Sequence, residues 1–419
     1  MTSLNITRAR CIVPITRAPI HDGAIVTRGE DILAVDTWKQ IRATYQGNYC
    51  DLGDQVLLPG LVNAHCHLEY SSMAQVIPPP KTFTQWIQSM VHEKKGMTET
   101  DYANSWMTGY QDLAKTGTTT VADMISQPQA LFDNLPLEGS EVIPFFECIH
   151  LQGNPFDHST LDMTETFLAR AEETMGVKAG IAPHAPFTTT PILWEKLRER
   201  QALSSCRYSM HLAESRDEFD LFQHGNGPLH AWLKEMHHLP CWGDSASPVK
   251  TMATAGVLRP GMLLVHANKL TSDDIGILTT SKVSIVHCPR SHLYFGHPPF
   301  PYHALARQGI NIALGTDSLA SMRCNEVPLH LNLFQEMRHM LDTYQDLSPD
   351  MVLRMGTLHG AKALNRGSTS GSLEPGKQAD WISLPWQGSH ETLMEHIIFS
   401  KKPPGQVVIK GHPMAMESN

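Results

Sequence analysis

From Thr118 onward, short apolar or β-branched runs alternate with longer stretches whose apolar residues recur every three to four positions. TTTVADM (118–124), EVIPFFECI (141–149), VKAGIAPH (177–184), RYSMHLAE (207–214), GMLLVHA (261–267), KVSIVHC (282–288) and INIALGTD (310–317) are nearly continuously apolar, as parallel strands buried on both faces are. The segments between them, such as TETFLARAEETM and PILWEKLRERQAL, carry helical spacing. With VLLPGLVNAH as the first strand the count reaches eight. Eight strands alternating with helices predict an α/β fold, a closed (β/α)8 TIM-like barrel, with a doubly wound open sheet as the alternative.

The two ends follow another pattern. ARCIVPI, GAIVTRGEDILAVD, SLEPGKQADWISL and GQVVIKG are short strand-like runs divided by Gly, Asp and Pro turns. They predict a small β-sandwich domain formed from residues 1–57 plus 372–419, beside a barrel over 58–371. The stretch 70–96, with PPP at 78–80 followed by FTQW, is too long for a simple connector and is expected to shape a pocket.

Composition narrows the function classes. The 419-residue chain is 41% hydrophobic and 18% charged, with no unbroken apolar run of the length a membrane span needs. Its N-terminus, MTSLNITRARCIVPITRAP, lacks a long apolar core of the secretory kind, so a cytoplasmic location is expected. The net charge of −9 comes from scattered acidic residues, which argues against nucleic acid or a membrane surface and for a small-molecule substrate. Eight cysteines without a C-x-x-C pair fit reduced thiols better than a disulfide frame or a zinc ribbon. A homodimer is the default assembly for such a chain.

The 23 histidines matter by position rather than number. In LVNAHCHLEY, His65 and His67 stand two apart on a strand, so their imidazoles point the same way while Cys66 faces the other side. H-x-H alone is a weak signal. It gains weight because His211 in SMHLAES, His266 in LLVHAN and Asp317 in ALGTDS also end predicted strands, and barrel strand ends converge on one face. Taken singly, His211 reads as a core histidine bonded to a carbonyl and Asp317 as a helix cap. Together, His65, His67, His211 and Asp317 offer three neutral imidazoles and a carboxylate, a donor set for one divalent cation, zinc by preference with iron or manganese also suited. Such a cation lowers the pKa of water to about 7. Glu214, three residues beyond His211, is placed to move protons, against a rival reading as a solvated first-turn glutamate. His266, against a structural reading, is a candidate for polarising water or developing charge.

PGLVNAHCH, HLAES, LVHAN, HCPRS and LGTDS, in this order over nearly the whole chain, resemble the amidohydrolase superfamily, most closely its mononuclear aminohydrolase branch of deaminases and chlorohydrolases. The resemblance implies metal ligands at His65, His67, His211 and Asp317, a proton shuttle at Glu214, and catalytic assistance from His266 with Asp317. His184 in IAPHAPF stands where binuclear members carry a bridging lysine or glutamate and is similar to a substrate-contacting histidine, which favours one metal; Lys178 lies too early in its strand to serve. Glu69, Trp86 and Ser291 are further candidate substrate contacts, with Trp86 and the HPPFP loop (297–301) expected to wall the base. HCHLEYS followed by PPPKTFTQWI looks closest to aminodeoxyfutalosine deaminases of the futalosine route to menaquinone. Thr84 and Gln85 stand where an adenosylhomocysteine deaminase is expected to have a ribose-binding glutamate, and His292 replaces a more usual asparagine. The expectation is therefore a metal-dependent hydrolytic deaminase of an aminated, purine-nucleoside-like heterocycle. Its rivals are an s-triazine chlorohydrolase or N-dealkylating aminohydrolase, an S-adenosylhomocysteine/methylthioadenosine deaminase, cyclic-amide hydrolysis, and a catalytically inactive barrel scaffold.

Overall fold

The structure, a computed structural model, describes residues 3–135, 138–243, 245–322 and 329–414; Cys324 lies outside them. Eight parallel strands follow one another around a barrel: β1 (Leu61–Cys66), β2 (Thr118–Ile125), β3 (Glu141–Cys148), β4 (Gly180–Pro183), β5 (Arg207–Leu212), β6 (Leu263–His266), β7 (Ser284–His287) and β8 (Asn311–Leu314). Each pairs with its sequence neighbour, and helices fill the crossovers, as the alternation predicts.

Period-two alternation separates the two sides of the strands. Val62, Ala64, Ala122, Met124, Ile143, Phe145, Leu263, Val265, Val286 and Ala313 pack together in one core, while Val121, Ile125, Val142, Phe146, Leu264, Ile285 and Ile312 join a larger core that includes the surrounding helices. In β1 the register against β2 slips between Asn63 and Cys66. Beyond the slip Cys66 packs in the outer core, whereas strict alternation from Val62 and Ala64 would have turned it inward. The bulge thus leaves His65 and His67 on the inner side.

The barrel closes where β8 meets β1. A parallel bridge joins Cys66 to Asp317, and the amides of Thr316 and Asp317 donate to the His65 carbonyl at 3.0 and 3.2 Å. Gly315 permits this approach: a Cβ there would lie 2.8 Å from the His65 carbonyl oxygen. Asn63 ties the same seam, donating to Thr316 Oγ1 at 2.7 Å and accepting from the Thr316 amide at 3.1 Å.

The terminal segments meet in a separate mixed sheet, also of eight strands. Gln55–Pro59, entering from the N-terminal half, pairs antiparallel with Trp381–Pro385 from the C-terminal half, from Trp381 opposite Pro59 to Pro385 opposite Gln55. Leu4–Ile12, Ile20–Arg28 and Asp31–Thr37 extend the sheet on one side and Gln406–Ile409 with His412–Pro413 on the other, while Asn48–Asp51 pairs with Leu4–Ile12. Ile12, Ile25, Leu57, Trp381 and Val408 form its core. Among the described residues no helix is long and apolar enough to cross a membrane.

Candidate active site

The C-terminal ends of the barrel strands gather the chemistry. His65 and His67 lie at the end of β1, His211 near the end of β5, His266 ends β6, and Asp317 follows β8 by three residues. All five are less than a tenth exposed. The Nε2 atoms of His67 and His65 lie 3.4 and 3.3 Å from His211 Nε2, and Asp317 Oδ1 lies 3.7 Å from His65 Nε2 and 3.8 Å from His67 Nε2. Within His65, His67 and Asp317, and again within His65, His211 and His266, the donor atoms all lie within 4.8 Å of one another.

This donor set fits a divalent cation. His211 Nδ1 sits 3.0 Å from the His184 carbonyl, which can only accept, so Nδ1 carries the proton and the Nε2 lone pair faces inward. Desolvation, with the other imidazoles adding to it, lowers His211 well below its ordinary pKa. Desolvation and His65 bring His67 down to about 4, and desolvation brings His266 to about 3 despite the opposing pull of Asp317. The rings are therefore neutral at pH 7. Burial pushes Asp317 up, but His65, His266 and His67 around it hold it well below the usual carboxylate range. Ser291 Oγ and Ser321 Oγ donate to its Oδ2 at 2.6 and 3.0 Å, which leaves Oδ1 for the histidines. Nitrogens about 2.0–2.1 Å from a tetrahedral zinc lie about 3.3–3.4 Å apart, the spacing found here.

The backbone is strained where these groups converge. His266 has φ 75°, Ala267 48°, Asp317 54° and Ala213 53°, left-handed values that residues other than glycine adopt at a cost. Hydrogen bonds hold the turns: the Ala267 amide donates to the Leu212 carbonyl at 3.0 Å, and the Asn268 amide to the Ala213 carbonyl at 2.9 Å.

Glu214 stands beside the donor set, its Oε1 3.5 Å from His266 Nε2. Burial, reinforced by Asp317 and Glu218, raises its pKa well above the ordinary value, which favours the protonated carboxyl. Its position is fixed by groups that the sequence did not announce. Glu218 accepts from the amides of Ala213 and Glu214 at 3.1 and 2.8 Å, and the Asn268 side chain donates to the Glu214 carbonyl at 3.0 Å. Burial lifts Glu218 to about 7, with the backbone amides restraining the rise. His292, through Nδ1, lies 3.1 Å from Asn268 Oδ1 and so buttresses this arrangement.

A cleft of about 1110 Å³, counting its solvent-open mouth, leads down to these groups. His67, His211, Glu214, His266 and Asp317 form its floor, and His184 and Trp86 line it. Two of the sequence candidates are placed elsewhere. The Glu69 carboxylate accepts from the Ser126 amide at 3.1 Å and the Gln127 amide at 3.0 Å, capping the turn before helix Pro128–Phe132, and it is not among the lining residues. Ser291 stands behind Asp317 and orients it. Arg290 is buried in an ion pair with Glu336 at 2.5 Å. The 297–301 loop stays outside the cleft wall; His297 packs against Phe295 and Phe83, which support Trp86 from behind.

Lys94 and Glu147 line the cleft without having been singled out in the sequence. Glu147, near the end of β3, had a signal of the same kind as the others, a charged residue closing an apolar strand. Lys94 had none, because only packing turns the last residue of helix Phe83–Lys94 toward the barrel. Burial raises the Glu147 pKa, but His184, Lys94 and the site imidazoles outweigh it, and the group ends below its ordinary value.

Comparison with known proteins agrees with this geometry. The chain is 28% identical over 370 residues to the aminodeoxyfutalosine deaminase of Deinococcus radiodurans, covering 83% of this chain and 84% of that one. It is also 28% identical over 394 residues to the 5-methylthioadenosine/S-adenosylhomocysteine deaminase of Moorella thermoacetica, covering 90% and 85%. In fold it is similar to a zinc-bound adenosine deaminase of Xanthomonas campestris, with a TM-score of 0.80 at 22% identity over 98% of this chain and 92% of that one. Residues 56–414, from the last strand of the N-terminal segment through all eight barrel strands to the end of the terminal sheet, match the model of the amidohydrolase family, and the chain belongs to that family.

Proposed function

We propose that this protein is a metal-dependent hydrolytic deaminase of an aminated heterocycle, of purine-nucleoside type, which releases ammonia. The observation that carries the reading is the meeting of three imidazole Nε2 atoms and the Asp317 carboxylate beside a further buried carboxyl, Glu214, at the base of a single cleft. The two deaminase relatives support it. His65, His67, His211 and Asp317 would hold one divalent cation, zinc by donor preference, which when bound activates water as the nucleophile.

The chain's own groups account for the proton movements. Glu214 gives its proton to the ring nitrogen next to the amine-bearing carbon, making that carbon electrophilic. The neutral His266 Nε2 and Asp317 Oδ1 hold the attacking oxygen and take up its proton. Glu214, now ionised, takes the remaining proton of the attacking oxygen and passes it to the departing nitrogen, so that water and the C–NH2 group become a carbonyl and ammonia; the proton held by His266 and Asp317 then returns to Glu214. His184 and Trp86 hold the ring against the floor, and burial keeps bulk water from competing for Glu214.

Protein stripped by a chelator and then given one equivalent of zinc should recover ammonia release from a panel of adenosine, 5′-methylthioadenosine, S-adenosylhomocysteine and aminodeoxyfutalosine. The stripped form should be slower by about a thousandfold or more. A zinc-replete sample inert toward the whole panel would overturn the reading.

A further inference from the structure

Beyond its polar floor the cleft is lined by Glu147, Lys94 and His238 and by apolar side chains that include Val91, Ile149, Leu151, Trp232 and Met236. Glu147 lies near the end of β3, two residues before Ile149. Val91, Ile149 and Met236 are 43, 47 and 43% exposed, so three large apolar side chains lie bare around one opening.

The two charged groups are not equally free. Lys94 Nζ donates to the Tyr70 hydroxyl at 2.6 Å and lies 4.8 Å from the centre of that ring. Among the described residues, no hydrogen bond or ion pair reaches the Glu147 carboxylate. It is therefore an open acceptor between the reaction floor and the apolar mouth, able to receive donors and nothing else.

We propose that Glu147 determines specificity: its carboxylate accepts hydrogen bonds from donor groups carried between the aminated ring and an uncharged apolar outer substituent, selecting such conjugates over those with an anionic outer end. This rests on the deaminase reading and names the substrate class of the same cleft. Hydroxyls at mid-length would satisfy Glu147. The apolar outer group would cover Ile149 and Met236 at the mouth. An outer carboxylate would instead be desolvated against apolar walls near a like charge, while the Lys94 charge is already offset by Glu147.

The test compares ammonia release from a 5′-alkylthioadenosine and from a 5′-(carboxyalkylthio)adenosine of equal length. The wild type should prefer the neutral conjugate by about tenfold or more in kcat/KM. Glu147→Gln, which keeps size and removes charge, should raise KM for the neutral conjugate by about tenfold with kcat within about threefold, and should shrink the preference to within about threefold. A role in folding alone would not change the ratio between two substrates. Ile149→Lys, at an exposed position of the mouth, should move the preference toward the carboxylate. Equal or better use of the carboxylated conjugate by the wild type overturns the proposal and makes Lys94 the reader of the outer end. A ratio unchanged in Glu147→Gln also overturns it. Ammonia from neither conjugate overturns the deaminase reading with it, whereas equal release from both overturns the proposal alone.

Discussion

The two eight-stranded sheets handle their charges in opposite ways. In the terminal sheet, Arg8 pairs with Asp22 and Asp51 at 2.7 and 2.9 Å and Arg10 pairs with Asp54 at 3.1 Å, all partly exposed, on strands in regular register from Leu4 opposite Arg28 to Ile12 opposite Ile20. At the barrel mouth, imidazoles and carboxyls are buried with their lone pairs aimed at one another, on backbone held at positive φ. The first arrangement asks little of any single group. The second sets desolvation and strain against the stability of the surrounding barrel, and what it gains is reactivity, because burial raises the pKa of Glu214 and lowers those of His67, His211 and His266.

Breaking one group at a time should expose this contrast. The largest effect is expected for Glu214→Gln: kcat lower by about 10³–10⁴ with the melting temperature and bound metal unchanged, read by ammonia release and metal analysis. Turnover at the wild-type rate would remove Glu214 from the mechanism. Ser291→Ala, which takes away one of the two hydroxyls on Asp317 Oδ2, should weaken metal affinity or activity by about 10- to 100-fold, measured by chelator competition.

Gly315→Ala tests the seam itself. A methyl 2.8 Å from the His65 carbonyl must push β8 away from β1, at a cost of about 1–3 kcal/mol in urea unfolding and with loss of metal affinity. An alanine variant that binds metal normally would show that the close approach is not required.

The join between the sheets offers a pH test. Burial raises Asp380 from 3.8 to about 6, and its Oδ1 accepts from the Lys410 amide at 2.7 Å. A carboxyl whose pKa is raised by folding contributes stability below its unfolded pKa and loses it as pH rises through the folded one. Asp380 should therefore add to a fall in stability between about pH 4 and 6, on the order of 2–3 kcal/mol. Asp380→Asn should flatten this part of the profile, and the difference between variant and wild-type urea midpoints should favour the variant more at pH 7 than at pH 4. The smallest effect is expected on the outer face, where Arg8→Ala should cost no more than about 1 kcal/mol because its ion pairs are screened by water. A larger loss would make the terminal sheet as dependent on single charges as the barrel mouth is.

The sequence by itself determined the barrel and the location of its chemistry. Strands buried on both faces must be apolar throughout, so His211, His266 and Asp317 at the ends of such runs stood out, and a closed parallel barrel brings strand ends to one face whatever the loops do. It also determined that both termini would share a sheet, since neither has enough apolar strand to bury alone. Tertiary structure decided the rest. The register slip of β1 against β2, which leaves the two histidines on the inner side, and the approach of Gly315 to His65, between residues some 250 positions apart, arise from strand pairing that no local pattern encodes. The same holds for side-chain direction: Glu69 turned to the amides of the turn at Ser126 and Gln127 and Ser291 turned to Asp317, while Glu147 and Lys94 turned into the cleft. Local sequence fixes which residues end a strand or helix, but where a side chain points beyond that end is set by the cheapest way to satisfy its polar atoms among whatever the closed fold has placed nearby.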